Sequence, residues 1–462
     1  MSVRLRKLIR SIGSENYRVV DNILQCNFDF HDSNSTNSSH GFHSFPAKYP
    51  PQLPSRFINE LTEPNDIVLD PMMGSGTTIL EAYLSGRQAI GFDIDPLAIK
   101  IARVKVSELD QSRLERLTDN ILKRARNRIE QQPTELKLVL ERRWDVKTKQ
   151  FADYWFTEEI QLQLTALIVE IEQLHHENER TFFEVVFSAI IITKTGGVSL
   201  ALDLAHTRPH RAKIVFDPEG RKIIEKDLDE SKSARMKFLT KRLQSAFDAF
   251  ENRARFNIRY LPSNGFPLSR PQIEVADAQS LPLEDNSVDL IVTSPPYASN
   301  AIDYMRAHKF SLIWLGYRID QLGRTRNKYI GGDSTSQFEF VKLPALAQEI
   351  VSHFSSLDRK KGLVLHRYFS EITRVLKEMY RVLKPGKPAI VVVGNSTMRG
   401  EDTRTAQCLE AIGYSLGFMV PRTGVRNLDR NRRMLPASMK IDTTSQIQQR
   451  MHQEYIIGFY KS

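Results

Sequence analysis

The stretch Ala389-Ile-Val-Val-Val393 constrains the fold more than any other part of the chain, because it is apolar and mostly β-branched with no alternation. Such a run reads as a strand buried on both faces, the situation of a parallel sheet covered by helices. Shorter runs repeat the theme. Asp66-Ile-Val-Leu-Asp70 predicts a strand, Gly74-Ser75-Gly76 a turn, and Thr77 to Leu84 the beginning of a helix. A second strand is expected over Gln88 to Phe92, ending at Asp93, with a helix over Pro96 to Val106. Strand signals return at Ile273 to Asp277 and Val288 to Val292, and a helix from Tyr368 to Leu383 leads into Lys384-Pro-Gly-Lys387. Strands alternating with helices define an α/β class with a parallel, doubly wound sheet and helices on both faces.

Between these blocks the character changes. From about 106 to 270 the chain reads as long amphipathic helices, such as Thr157 to Glu177 and Glu230 to Phe256, separated by the loop-like Thr195-Gly-Gly-Val198 and His206-Thr-Arg-Pro-His210. The expected organisation is an N-terminal arm (1–40), one half of the α/β domain (41–105), a large mainly helical insertion (106–271), and the other half (272–462).

Composition narrows the function. The chain has 462 residues, 41% of them hydrophobic, enough for one large core plus an insertion, or for two domains. No apolar run reaches the roughly 18 residues of a membrane span, and the basic start lacks the apolar region of a secretory signal, so a cytoplasmic, nucleoid-associated protein is expected. Cys26 and Cys408 are too few for a disulfide framework or a cysteine zinc site. His175-His176 and the His206/His210 pair lack a matching carboxylate or cysteine cluster, and no metal is expected. The net charge of +10 favours an anionic partner such as nucleic acid.

Glycines between a strand and a helix let the backbone approach a ligand, and the helix N-terminus offers unpaired amides. Asp93, at the end of the next strand, suits an acid that accepts from ribose hydroxyls. Two departures argue against a dinucleotide. Ile79 stands where a third glycine would be, and Asp70 sits ahead of the turn, where it would repel a pyrophosphate and instead suit a ligand's ammonium group. This set points to S-adenosylmethionine, with Asp277 placed to accept from the adenine amine.

The run Ser287 to Tyr297 ends a strand in Thr-Ser-Pro-Pro-Tyr. Proline fixes φ and removes a donor, so the pair stops the strand and holds the Pro295 carbonyl. Ser294 adds a hydroxyl acceptor and Tyr297 a flat face, a set that suits a planar base carrying an exocyclic amine.

Together, Asp70-Pro-Met-Met-Gly-Ser-Gly-Thr77 and Thr293-Ser-Pro-Pro-Tyr297 resemble the S-adenosylmethionine-dependent DNA amino-methyltransferases, in their cytosine-N4 form. His43 to Pro51 is similar to that family's cofactor-closing motif, and Arg381-Val-Leu-Lys-Pro-Gly386 with Val391 to Asn395 to a later strand. The resemblance implies a Rossmann-like sheet, a cofactor-binding half (41–105) and a catalytic half (272–462), with the insertion serving target recognition or dimerisation. It implies cofactor contacts from Phe45, Lys48, Asp70, Pro71, Gly74, Gly76, Thr77, Asp93 and Asp277, and a catalytic set of Ser294, Pro295, Pro296 and Tyr297. The implied reaction is site-specific methylation of cytosine N4 in DNA within a restriction-modification system, with base flipping and direct in-line transfer. Adenine-N6 methylation, RNA base methylation and a nucleic-acid-binding module without turnover stand as alternatives. Methylation of ring carbon 5 needs a thiolate, and neither cysteine lies near the Pro-Pro pair.

For nucleic acid, Arg422 to Arg433 concentrates five arginines, and Arg426, Arg430, Arg432 and Arg433 are expected to grip phosphates or read base edges. Asn300, Asp303, Tyr304 and Arg306, just after the catalytic loop, are expected to line its pocket, with Asn300 and Arg306 toward the DNA. The sequence leaves monomer or homodimer undecided.

Overall fold

The computed structural model describes residues 15–30, 38–46, 48–193, 195–202, 204, 209–225, 239–262, 270–298, 303–428 and 453–462. Its strands, in chain order, are β1 (Ile67–Asp70), β2 (Gln88–Asp93), β3 (Ile214–Phe216), β4 (Lys222–Glu225), β5 (Thr240–Arg242), β6 (Gln272–Val275), β7 (Leu290–Thr293), β8 (Pro388–Gly394), β9 (Thr397–Met398), β10 (Glu401–Asp402), β11 (Thr423–Asn427) and β12 (Gln453–Tyr460). Seven of them form the main sheet in the order β11-β12-β8-β7-β1-β2-β6. From β6 to β8 every neighbouring pair is parallel, while β12 runs antiparallel to both β8 and β11.

Period-2 geometry explains why the central strands read as unbroken apolar runs. On one face Leu69, Ile291, Ala389, Val391 and Val393 pack with the long helix Arg359–Val382. On the other, Val68, Leu290, Val292, Ile390 and Val392 pack with the helices Gln52–Leu61 and Thr77–Leu84. Alternate residues therefore feed two separate cores, and every position of β7 and β8 is buried.

From β1 the chain builds outward through β2 to β6, then returns to the other side of β1 with β7 and continues to β8. The direction of winding reverses between β1 and β7. Such a switch point leaves a crevice at the strands' C-terminal ends, where ligands bind in open α/β sheets.

The region between β2 and β6 is helical in its first part: Gln111–Gln131, Pro133–Arg142, Val146–Trp155, Glu158–Glu172 and Glu177–Ile191. Two sequence expectations change here. The helix expected over Thr157 to Glu177 stops at Glu172, and a second one starts at Glu177. The helix expected over Glu230 to Phe256 begins only at Ala246, where the Ser245 hydroxyl caps it by accepting from Phe247 N at 3.2 Å. Ahead of it, Thr240 to Arg242 is strand β5, in a three-stranded sheet with β3 and β4. Tertiary partners override the helical spacing: the Lys241 ammonium is buried against the carbonyls of Ala201 (2.6 Å) and Thr195 (3.0 Å). Residues 230–238 of that expected helix lie outside the described residues. Among the described residues, no helix is long and apolar enough to cross a membrane.

Candidate active site

A cavity of about 450 Å³ opens at the C-terminal ends of β1, β2, β6 and β7, within the usual range for small-molecule sites. Of the residues anticipated from sequence, Phe45, Pro71, Gly74, Asp93, Asp277, Ser294, Pro296, Asp303, Tyr304 and Arg306 line it.

The turn after β1 is shaped by glycine. Gly74 and Gly76 have φ of 50° and 75°, the left-handed region that side chains disfavour. A Cβ on Gly76 would come within 2.8 Å of the Ala102 side chain, so the turn lies directly on the helix Pro96–Lys105. Gly74 N donates to Asp93 Oδ2 at 2.9 Å, linking the turn to the end of β2. The Phe45 ring closes over Gly74, whose added Cβ would meet it at 3.2 Å, and stacks on Tyr304 with centroids 5.2 Å apart.

Asp70 has a different setting. It is buried outside the cavity lining, where its Oδ1 accepts from Thr293 Oγ1 at 2.7 Å and from Met72 N at 3.2 Å. Tyr49 donates to its Oδ2 at 3.4 Å. The carboxylate thus ties the end of β1 to the end of β7, and burial pushes its pKa up to about 6. Lys48 likewise points away from the cavity; its ammonium donates to the carbonyls of His40 (3.0 Å) and His43 (3.2 Å) and fastens the loop that carries Phe45. Thr77 is buried at the start of its helix.

Two acids at the end of β2 behave oppositely. Burial, reinforced by the charge of Asp95, raises the pKa of Asp93 to about 7. Burial would raise Asp95 too, but His308 Nδ1 at 2.6 Å, Tyr329 Oη at 2.7 Å and the helix amides of Leu97 and Ala98 hold its pKa below the ordinary value. Asp95 also caps the helix Pro96–Lys105, so one carboxylate joins that helix, the helix Tyr304–Leu312 and the loop of Tyr329. The sequence reading did not single out Asp95, His308 or Tyr329. An Asp-Pro cap signal stood at Asp95-Pro96; nothing local marked the other two.

At the end of β7 the proline pair directs Ser294 and Pro296 into the cavity, with Pro295 buried. Ser294 Oγ lies 3.5 Å from the Tyr297 hydroxyl, which donates to Glu454 Oε1 at 2.9 Å. Glu454 Oε2 in turn accepts from Arg426 at 2.5 Å. Arg426, anticipated as a nucleic-acid contact, is only 9% exposed and occupied by this ion pair. Glu454 is 157 residues from Tyr297, which is why spacing did not reveal it. Asn300, Arg430, Arg432 and Arg433 lie outside the described residues.

Residues 326–334 also line the cavity, and meet the end of β2 through the Tyr329 bond to Asp95. Asp303 holds Arg306 Nε at 2.6 Å and Arg326 at 2.7 Å. Beneath, Arg367 pairs with Glu371 at 2.8 Å, and Glu371 accepts from Gly331 N at 2.7 Å, which pins the loop.

The glycine-turn end suits an adenosine carrying a cationic group. Asp93 and Asp277 offer acceptors for hydroxyls or an amine, Phe45, Ile94, Ala276 and Ala278 offer apolar walls, and the acids disfavour a phosphate.

A family model described as DNA methylase matches residues 7–104. The Type II methyltransferase M.MvaI of Kocuria varians is 24% identical over 390 residues, covering 80% of each chain. M.BsoBI of Geobacillus stearothermophilus is 24% identical over 430 residues, covering 83% of this chain and 80% of the relative. M.MjaII of Methanocaldococcus jannaschii is 35% identical over a shorter 91 residues, 20% of this chain and 17% of its own. With the glycine turn and the Thr-Ser-Pro-Pro-Tyr strand end facing one cavity, these similarities support the DNA amino-methyltransferase family for this chain.

Proposed function

We propose that this protein methylates the exocyclic N4 amine of cytosine in DNA, with S-adenosylmethionine as methyl donor. Type II relatives support a modification enzyme that acts at a fixed site. Phe45, Asp93, Asp277 and the Gly74 turn would hold the cofactor, which when bound supplies a methyl group on a positively charged sulfur.

The observation that carries the reading is the hydroxyl chain behind Ser294. A serine hydroxyl both donates and accepts. Glu454 is a carboxylate acceptor paired with Arg426, so Tyr297 gives its proton to Glu454 and its oxygen is left to accept from Ser294. Ser294 then turns lone pairs toward the cavity. Those lone pairs, with the Pro295 carbonyl, accept the amine hydrogens of the base and favour a pyramidal nitrogen, whose developing positive charge meets a fixed, low-dielectric site. Neutral Ser294, where adenine enzymes more often carry Asp, supports cytosine over adenine. The base leaves the duplex to reach this depth, and stacking on Tyr297 offsets part of the unstacking cost.

The basic wall of Arg306 and Arg326 suits the phosphates next to the extruded nucleotide. The segment 106–271 is proposed to reach the DNA from one side.

Expression in a host without DNA methylation, followed by modification-sensitive sequencing, tests the reading. N4-methylcytosine at one sequence motif is expected. N6-methyladenine would move the assignment to adenine, and methylated RNA beside unmodified DNA would overturn it.

A further inference from the structure

A buried polar chain connects the helical segment between β2 and β6 to the wall of the cofactor end. His43 Nε2 lies 2.9 Å from Ser188 Oγ, Ser188 Oγ lies 2.9 Å from Ser311 Oγ, and Ser311 Oγ lies 3.2 Å from the His308 carbonyl. His43, Ser188 and Ser311 are all buried. Proton counting fixes the direction. A carbonyl only accepts, so Ser311 spends its single proton on His308; Ser188 must then donate to Ser311, and His43 must donate from Nε2 to Ser188. Burial holds the His43 pKa well below its ordinary value, in keeping with a neutral ring protonated on Nε2.

The chain starts in the strip that closes the cofactor end. His43 is two residues before Phe45, whose ring lies over Gly74 and 5.1 Å from His308. The helix Ala246–Arg259 holds the same strip by a second bond, Asn257 Nδ2 to the Phe42 carbonyl at 3.2 Å, and Phe42 packs edge-on against Phe182 of the helix Glu177–Ile191. Ser188 belongs to that last helix.

We propose that Ser188 is a positioning residue for cofactor binding: by accepting from His43 it sets Phe45 over the glycine turn, so the helical segment is part of the cofactor site and not an appendage that only meets DNA. Without Ser188, the His43 N–H has no acceptor in a dry setting, and the ring must turn, carrying Phe45 with it. The inference rests on S-adenosylmethionine as cofactor but not on which base is methylated, so the two can fail separately.

The test is calorimetry of S-adenosylmethionine binding to the full-length protein, with hydrogen exchange over residues 42–46 measured without cofactor. Ser188→Ala is expected to weaken binding about tenfold, the scale of one buried donor left unpaired. The exchange of 42–46 should rise, while turnover at saturating cofactor and affinity for duplex DNA stay within about twofold. Ser311→Ala frees the Ser188 proton for a His43 of the other tautomer, so a loss of only about two- to threefold is expected. If the void in Ser188→Ala prevents folding, Ser188→Cys keeps the volume without the strong acceptor and should show the same loss. Cofactor affinity unchanged in a folded Ser188 variant would overturn the proposal, as would an equal loss of DNA affinity.

Discussion

Around Asp93 the cavity wall is acidic, with Asp95 and Asp277 beside it; around Arg326 it is basic, with Arg306, Lys328 and Lys361. The two ends are built differently. At the acidic end a single carboxylate, Asp95, gathers a helix start, a histidine and a tyrosine, while Asp93 accepts from the amides of Gly74 and Asp95, which offset part of the cost of burial. At the basic end Asp303 holds two arginines that keep exposed surface, 29% and 45% of their side chains. One end thus favours a compact ligand without phosphate, bound out of water, and the other a polyanion that remains partly solvated. Ser294 and Pro296 line the same cavity, which both ends share.

Substitutions should separate the ends. Ser294→Ala, in the shared cavity, is expected to lower turnover about a hundredfold, the scale of one preorganised polar contact to developing charge. Cofactor binding measured by calorimetry should hardly change, and equal loss of both would remove Ser294 from its proposed role. Asp93→Asn is expected to weaken cofactor binding about tenfold with DNA affinity kept, since the amide is a poorer acceptor for hydroxyls; loss of DNA affinity instead would mean that the ends are not distinct. Arg326→Gln should weaken duplex binding about threefold and reduce the slope of log affinity against log salt by about 1, leaving cofactor affinity alone. An unchanged slope would take Arg326 off the phosphate path.

The smallest effect is one of pH. In the folded chain Asp93 keeps its proton up to about 7, against 3.8 as the ordinary value. Between those values the folded state binds more protons than the unfolded state, so stability without cofactor should fall as pH rises through this window. Asp70, raised to about 6, acts in the same direction. Cofactor affinity should rise over the same range, because ionised Asp93 is the better acceptor. Melting temperature and calorimetry from pH 5 to 8 check both slopes; parallel slopes would contradict the role of Asp93.

How much was legible in the sequence differs between the ends in the same way. β1, its turn and β2 are local features whose apolar runs and glycines carry their own geometry, and they appear within a residue or so of the expected places. Asp70 was legible as an acid at a strand end, but not as the partner of Thr293, 223 residues away. The same limit hid Glu454 and gave Arg426 to nucleic acid, since an ion pair between β11 and β12 depends on strand order, which spacing does not encode. Period alone also misread Thr240 to Arg242 as helix, because a buried lysine bound to carbonyls looks in sequence like a charged helix face.

The position of β12 between β8 and β11 has a consequence for the newborn chain. During synthesis, residues 453–460 emerge after both of the strands they will separate, so the sheet cannot close until the last of its strands is slotted into its interior. Tyr297 has no Glu454 to hold it before then. The glycine turn between β1 and β2 can therefore form before Tyr297 gains its carboxylate partner, so the two sides of the cavity need not be set at the same moment.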